Sequence, residues 1–235
     1  MTSMTMSESA QMIRLDRARQ VAPQVFESLR HQIISLALLP GAVLSRTSLM
    51  EQYGLSQTPI RDALLKLAEE KLVDIFPQHA TVVSPIDLRL ANQAHFFRRS
   101  IELEVARTLA LQEDKRFLAK IRGIFAEQEA TLQAHDLVGF AEADQAFHRQ
   151  LCEAAAVPDL WDLVRSRSGH IDRLRQLHLP VPGKVEAILR DHTRIIEAIA
   201  AGDPDGAQKA VRTHLSGTLM QVDDIKQRFP DYIRE

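Results

Sequence analysis

The chain has 235 residues, with 29 Lys and Arg against 31 Asp and Glu and a net charge of −2, which excludes a histone-like protein that coats nucleic acid by bulk positive charge. The length allows one large or two modest domains, and 45% hydrophobic residues suffice to fill a core in each. A single cysteine, Cys152, excludes a disulfide framework, a Cys-x-x-Cys redox pair and a thiolate zinc finger, and fits a reducing cytoplasm. Residues 1–12 are polar and no stretch approaches the roughly 18 apolar residues of a membrane span, so the chain reads as neither exported nor embedded.

Low aromatic content and long runs of Ala, Leu, Gln, Glu and Arg favour helix over sheet, so the expected fold is mainly α. Residues 1–16 read as a flexible tail. Val21 to Leu38 reads as a helix with Val25, Leu29, Ile33 and Leu36 on one face, stopped by Pro40-Gly41. A short helix follows from about Thr47 to Tyr53, ended by Gly54. Ser56 is placed to cap a third helix, with Pro59 in its first turn and Ile60, Ala63, Leu64 and Leu67 on its buried face. Val73 and Ile75, then Val82 and Val83, read as two short strands around the turn at Pro77 to Ala80. Helix, helix-turn-helix and hairpin in that order make a winged helix-turn-helix, of mixed α+β structure, over residues 17–84.

Pattern then changes: Ser84-Pro85 is a stiff joint and Asp87 a candidate N-cap. Six long helices are expected near 87–112, 115–135, 138–156, 158–178, 184–201 and 204–228, with Gly202-Asp203-Pro204 between the last two. Their short connections argue for an all-α antiparallel bundle over residues 87–228.

On the third helix, Gln57, Thr58, Arg61 and Leu65 lie opposite the buried stripe, near the helix start, where side chains reach a major groove. Arg61 can donate twice to a guanine edge, Gln57 can pair with adenine or a phosphate, and Thr58 can touch a phosphate or a thymine methyl. Arg46, Thr47 and Ser56 are candidates for backbone contacts, and His79 for a contact from the wing. The alternative is a helical hairpin that only packs against the rest of the chain. Residues 1–86 carry eight basic and eight acidic side chains. Binding to duplex DNA therefore needs two reading heads in a symmetric dimer on a palindromic operator.

Within the bundle, Asp144 and His148 fall at i and i+4 on the stripe of Phe140, Phe147 and Leu151. His192 sits among Ile188, Leu189, Ile195 and Ile196, and His214 on the face of Ala207 and Val211. Four polar groups aimed into one core need a shared partner, because an unpaired buried polar group costs on the order of 1–3 kcal/mol. One divalent metal per chain would satisfy them, as would a buried hydrogen-bond network. With no sulfur donor, zinc is the first choice and nickel, manganese and cobalt are admissible. Arg98 shares a stripe with Ala91, His95, Val105 and Leu109, and needs an anion, either Glu102 one turn away or a ligand carboxylate. His31, His135, His170 and His178 lack such company and read as surface or local-packing residues. Trp161 and Cys152 read as core.

Together these segments resemble the GntR family of bacterial transcription regulators, in the branch with a helical FCD-type effector domain. "LPGAVLSRTSLMEQYGLSQTPIRDALLKLAEEKLV" is similar to that family's reading head, "RRSIELEVA" to the R-x-x-[LI]-E motif opening at Arg98, and "DQAFHRQL" to the D-x-x-x-H motif at Asp144 and His148. "DHTRIIEAIAAGDPDGAQKAVRTHL" resembles the closing segment with His192 and His214. The chain departs from the pattern at Gln57, where many members have Arg, at the wing tip, which lacks Gly, and at Arg46, where an acidic residue is common. The resemblance implies a DNA-binding domain joined to a helical bundle that binds a metal and a small organic acid, whose occupancy changes operator binding. The rival class, a metal-dependent hydrolase using the Asp/His site, lacks a His-Glu-x-x-His motif and leaves the helix-turn-helix unexplained.

Overall fold

A computed structural model describes residues 15–16, 18–77 and 79–234, so nearly all of the expected tail, and Gln78 at the wing tip, lie outside the described residues. The chain divides into two compact units, Met1–Pro85 and Ile86–Glu235.

In the first unit, α1 (Val21–Ile34) buries Val25, Phe26, Leu29 and Ile33. It ends four residues before the expected Leu38, because the chain turns left-handed at Leu36, with φ of 63°. Helix α2 (Arg46–Tyr53) opens with the Ser45 hydroxyl accepting the Ser48 N–H and closes at Gly54, whose φ of 62° is the left-handed conformation glycine adopts without strain. Helix α3 (Gln57–Glu69) buries Ile60, Ala63, Leu64 and Leu67, the expected stripe. Ser56 occupies its N-cap position in extended conformation, but its side chain makes no capping hydrogen bond. The buried Arg30–Glu70 ion pair, 2.7 Å, ties α1 to the end of α3. Strands β1 (Val73–Phe76) and β2 (Ala80–Val83) pair antiparallel in the register Val73↔Val83, and Val43 bridges to Val82.

The second unit opens with a two-residue strand, β3 (Ile86–Asp87), and α4 (Leu88–Leu111), capped by Asp87 Oδ1 accepting the Leu90 N–H. Helices α5 (Leu118–Gln133), α6 (Leu137–Ala154) and α9 (Lys184–Ala201) pack with α4 and α10 (Pro204–Ser216) around Leu109, Ile121, Phe147, Ile195, Ile199 and Val211. Asp136 and Asp203 cap α6 and α10. Two expected helices are broken. The segment 158–178 is two helices, α7 (Pro158–Arg167) and α8 (Gly169–His178), parted at Ser168-Gly169, two weak helix formers. Ser168 Oγ there donates to the Asp172 carboxylate at 2.7 Å, which also receives Arg165 and Arg175. The segment 204–228 breaks after Ser216 and resumes, past a 3₁₀ turn, as α11 (Val222–Arg228). Beyond it, β4 (Ile233–Arg234) pairs in parallel with β3. Cys152 is fully buried and burial pushes its thiol up to about 12, so it behaves as an inert core residue. No helix among the described residues is long and apolar enough to cross a membrane.

Candidate metal centre and nucleic-acid interface

Burying the Ile60/Leu64/Leu67 stripe turns the other face of α3 outward. Gln57, Thr58 and Arg61 are all exposed at its first turns, and Arg61 lies 3.6 Å from its exposed neighbour Asp62. Arg46 and Thr47 are exposed in the first turn of α2, and His79 is exposed beside β2. A cavity lined by Val43, Ser45, Arg46, Phe76, His79 and Thr81 joins the start of α2 to the hairpin. Thus Arg46 and His79, 33 positions apart, share one concave surface.

Asp144 and His148 of α6, His192 of α9 and His214 of α10 converge in the second unit, one donor atom from each lying within 4.8 Å of all the others. His148 Nε2 and His214 Nε2 are 3.1 Å apart, and His192 Nε2 is 3.5 Å from Asp144 Oδ1. Each outward nitrogen faces an acceptor, but only that of His192 is hydrogen-bonded among the described residues. His192 Nδ1 meets Gln128 Oε1 of α5 at 2.8 Å, and His148 Nδ1 lies 2.7 Å from Glu102 Oε2, off the direction of a well-formed hydrogen bond. His214 Nδ1 is 4.0 Å from Asp191 Oδ2. With protons assigned to the Nδ1 atoms by these acceptors, the His148 and His192 Nε2 lone pairs point at the cluster. His192 Nε2 and Asp144 Oδ1 are buried with no hydrogen-bond partner among the described residues. Converging lone pairs and an orphaned carboxylate oxygen fit a divalent cation, and outer carboxylate and amide acceptors are what hold metal-ligating imidazoles in one tautomer.

Arg98 and Glu102 of α4 stand behind this cluster. Glu102 accepts from Arg98 Nε through Oε1 while Oε2 faces His148. Burial alone would raise its carboxyl, but Arg98 and His148 overcome that and hold it down to about 2. Arg98 lies over the Trp161 ring, 5.6 Å from its centroid, and its Nη2 is buried without a hydrogen-bond partner among the described residues.

Burial, and then the neighbouring cationic groups, push His192 and His214 well below the usual 6.5, and burial likewise lowers His95 and His178. Unfolded imidazoles take up protons below about 6.5 while these folded ones resist, so the unfolded chain binds more protons there and stability falls as pH drops. The chelator-stripped protein is therefore expected to unfold at lower denaturant at pH 5.5 than at pH 7.5. A midpoint flat across that window contradicts neutral buried histidines.

Comparison with known proteins fixes the setting. The model for "Bacterial regulatory proteins, gntR family" matches residues 21–83 and that for the FCD domain residues 93–217. The chain belongs to the GntR family and carries an FCD domain. An uncharacterized HTH-type transcriptional regulator in an unstable DNA locus of Streptomyces ambofaciens is 31% identical over 207 residues, 88% of this chain and 87% of that one. The HTH-type transcriptional repressor RspR of Escherichia coli (strain K12) is 28% identical over 222 residues, 94% and 97% of the two chains. Among solved structures, Escherichia coli McbR/YncC superposes with a TM-score of 0.74 at 20% identity, over 90% of this chain and 99% of that one, a likeness of fold. This GntR protein is a DNA-binding transcription regulator and not an enzyme, so the hydrolase alternative is set aside.

Sequence reasoning overlooked several residues around the FCD cluster. Gln128 is fully buried at i+7 from Ile121 and i+3 from Phe125, a polar residue on an apolar stripe and thus a readable signal. Asp191 precedes His192 and had no such signal. His170, expected at the surface or in local packing, takes the second role: it is buried, and its Nδ1 accepts the Asp87 N–H at 3.0 Å.

Proposed function

We propose that this GntR regulator is a cytoplasmic homodimer that binds a palindromic operator, and that a small carboxylate held at the FCD cluster modulates that binding. Asp144, His148, His192 and His214 hold one divalent ion per chain. Zinc is the first choice for a nitrogen and oxygen donor set without sulfur; nickel, manganese and cobalt share it. When bound, the ion supplies a Lewis-acidic charge that accepts a carboxylate oxygen. Arg98 Nη2, an unsatisfied donor in a buried site, is the second anchor for the same carboxylate, and Glu102 orients both Arg98 and His148. Arg46, Thr47, Ser56, Gln57, Thr58, Arg61 and His79 form the DNA-contacting set, all of them exposed on the first unit.

The observation that carries this reading is the convergence of three imidazoles and a carboxylate, next to a buried arginine, with buried polar atoms in both left without a hydrogen-bond partner among the described residues. An effector acts only through different affinities for two conformations, typically worth about 1–3 kcal/mol. Metal analysis by mass spectrometry of the protein purified without added metal or chelator tests the centre. Near one metal per chain is expected, lost in Asp144→Ala and His148→Ala. A wild-type chain that takes up no metal even after reconstitution with zinc, nickel, manganese or cobalt has a hydrogen-bonded core instead.

A further inference from the structure

We propose that Lys184 is a specificity-determining residue at the open side of this centre, and that the effector it selects is a small organic acid with two acidic groups. This rests on the effector reading above. The cluster is graded in exposure: the side chains of His148 and His192 are fully buried and His214 is 7% exposed, whereas Asp144 and Asp191 are 20% and 19% exposed. A ligand therefore enters past Asp144 and Asp191. Asp144 is committed to the ion, so Asp191 is the carboxylate left to repel an incoming organic anion, and a cation near it offsets that repulsion.

Lys184 supplies it. It is the first residue of α9, two turns before His192 on the same helix, and it is half-buried. Its Nζ reaches the last turn of α10, where it lies 3.1 Å from the place a side-chain carbon on Gly217 would occupy. Gly217 follows His214 by three residues and its N–H bonds the His214 carbonyl, so the absent side chain leaves the ammonium its space beside a metal-ligand turn. Lys184 interacts electrostatically with Asp144, Asp191 and His214, yet makes no side-chain hydrogen bond or ion pair among the described residues. An ammonium has three donors, and this half-buried one, with no acceptor among the described residues, leaves them to water or to an acceptor that arrives from outside.

A purely structural role, neutralising Asp144 and Asp191, would place Nζ in contact with one of them, and it contacts neither. Arg98 is buried and Lys184 only half-buried, and the charges of both act on His214. One acidic group of the ligand is thus anchored inside, at the ion and Arg98, and the second lies outward at Lys184. Two cations of opposite placement read the spacing between two anionic groups, which neither reads alone.

Calorimetric titration of the zinc-loaded full-length protein with acids matched in carbon number, propionate with malonate, butyrate with succinate and valerate with glutarate, tests this. At least one diacid is expected to bind about tenfold or more tighter than its monoacid partner, the worth of one added charged contact. That advantage should fall to within about threefold in Lys184→Met and persist in Lys184→Arg, with zinc content unchanged in both. Monoacids binding wild type as well as diacids, or a diacid preference that survives Lys184→Met, overturns the assignment of Lys184 while leaving the effector site standing. Zinc-loaded wild type that binds none of the six acids overturns the carboxylate reading itself, and this one with it.

Discussion

Replacing Arg61 by alanine is expected to remove specific operator binding while leaving fold and dimer intact. Arg61 projects from the start of α3 with its side chain 59% exposed, and Asp62, its ion-pair neighbour, is also exposed and screened. Among the described residues its ion-pair partner is the exposed Asp62, so the loss of stability should stay within about 0.5 kcal/mol. Its planar fork matches the two acceptors of a guanine edge, an interaction worth about 1–3 kcal/mol at each half-site. Over two half-sites of a palindrome the loss is about 2–6 kcal/mol, from roughly 30-fold to more than ten-thousand-fold in affinity. Binding to unrelated duplex DNA should change little, because that part comes from phosphate contacts such as those expected of Arg46 and Ser56. Fluorescence anisotropy at one fixed salt concentration, with an operator recovered by selection from random duplexes and a scrambled control, separates the two. Equal loss on both sequences makes Arg61 a phosphate contact; no loss on either removes it from the reading head.

What was legible in the sequence was periodicity and its consequences. The Ile60/Ala63/Leu64/Leu67 stripe fixed which face of α3 is outward, and the same arithmetic on three helices turned Asp144, His148, His192 and His214 inward. Periodicity says which way a side chain points, not which atom of a distant helix it meets. Gln128 and His192 are 64 positions apart, and only the packing of α5 on α9 brings them to 2.8 Å. Glu102 was paired with Arg98 because they are one turn apart; that its other oxygen faces His148, from α6, depends on how α4 and α6 pack. The breaks at Ser168 and after Ser216 were missed because the flanking amphipathic pattern runs through them. The β3–β4 pair was missed because two-residue strands carry too few residues for a period. Nothing in the periodicity marks Lys184, the first residue of α9, and only the space left by Gly217, just past α10, shows where its ammonium goes.

Glu102→Gln is expected to be the most damaging conservative change in the second unit. The substitution keeps shape and one acceptor oxygen but removes the charge, leaving the Arg98 guanidinium, 5% exposed, without its anion. Breaking a buried pair from one side costs about 3–5 kcal/mol, because the remaining charge has lost both water and partner. His148 also loses the carboxylate beside its Nδ1, and an outer partner of that kind is worth about 10–100-fold in metal affinity. Denaturant unfolding at pH 7, together with competition titration of zinc, measures both effects. The double variant Arg98→Met/Glu102→Gln separates them: removing both charges should recover much of the stability, whereas zinc affinity should stay low because His148 still lacks its carboxylate. The linkage to pH has a definite sign. A carboxyl held down to about 2 in the folded chain, against about 4.5 when free, stabilises the fold fully above 4.5 and progressively less as pH falls towards 2. The deficit of Glu102→Gln relative to wild type should therefore be largest near neutrality and shrink as the pH is lowered below 4.5. A deficit that is constant with pH would trace the damage to packing, and one below about 1 kcal/mol would mean that Arg98 finds another anion in the bundle.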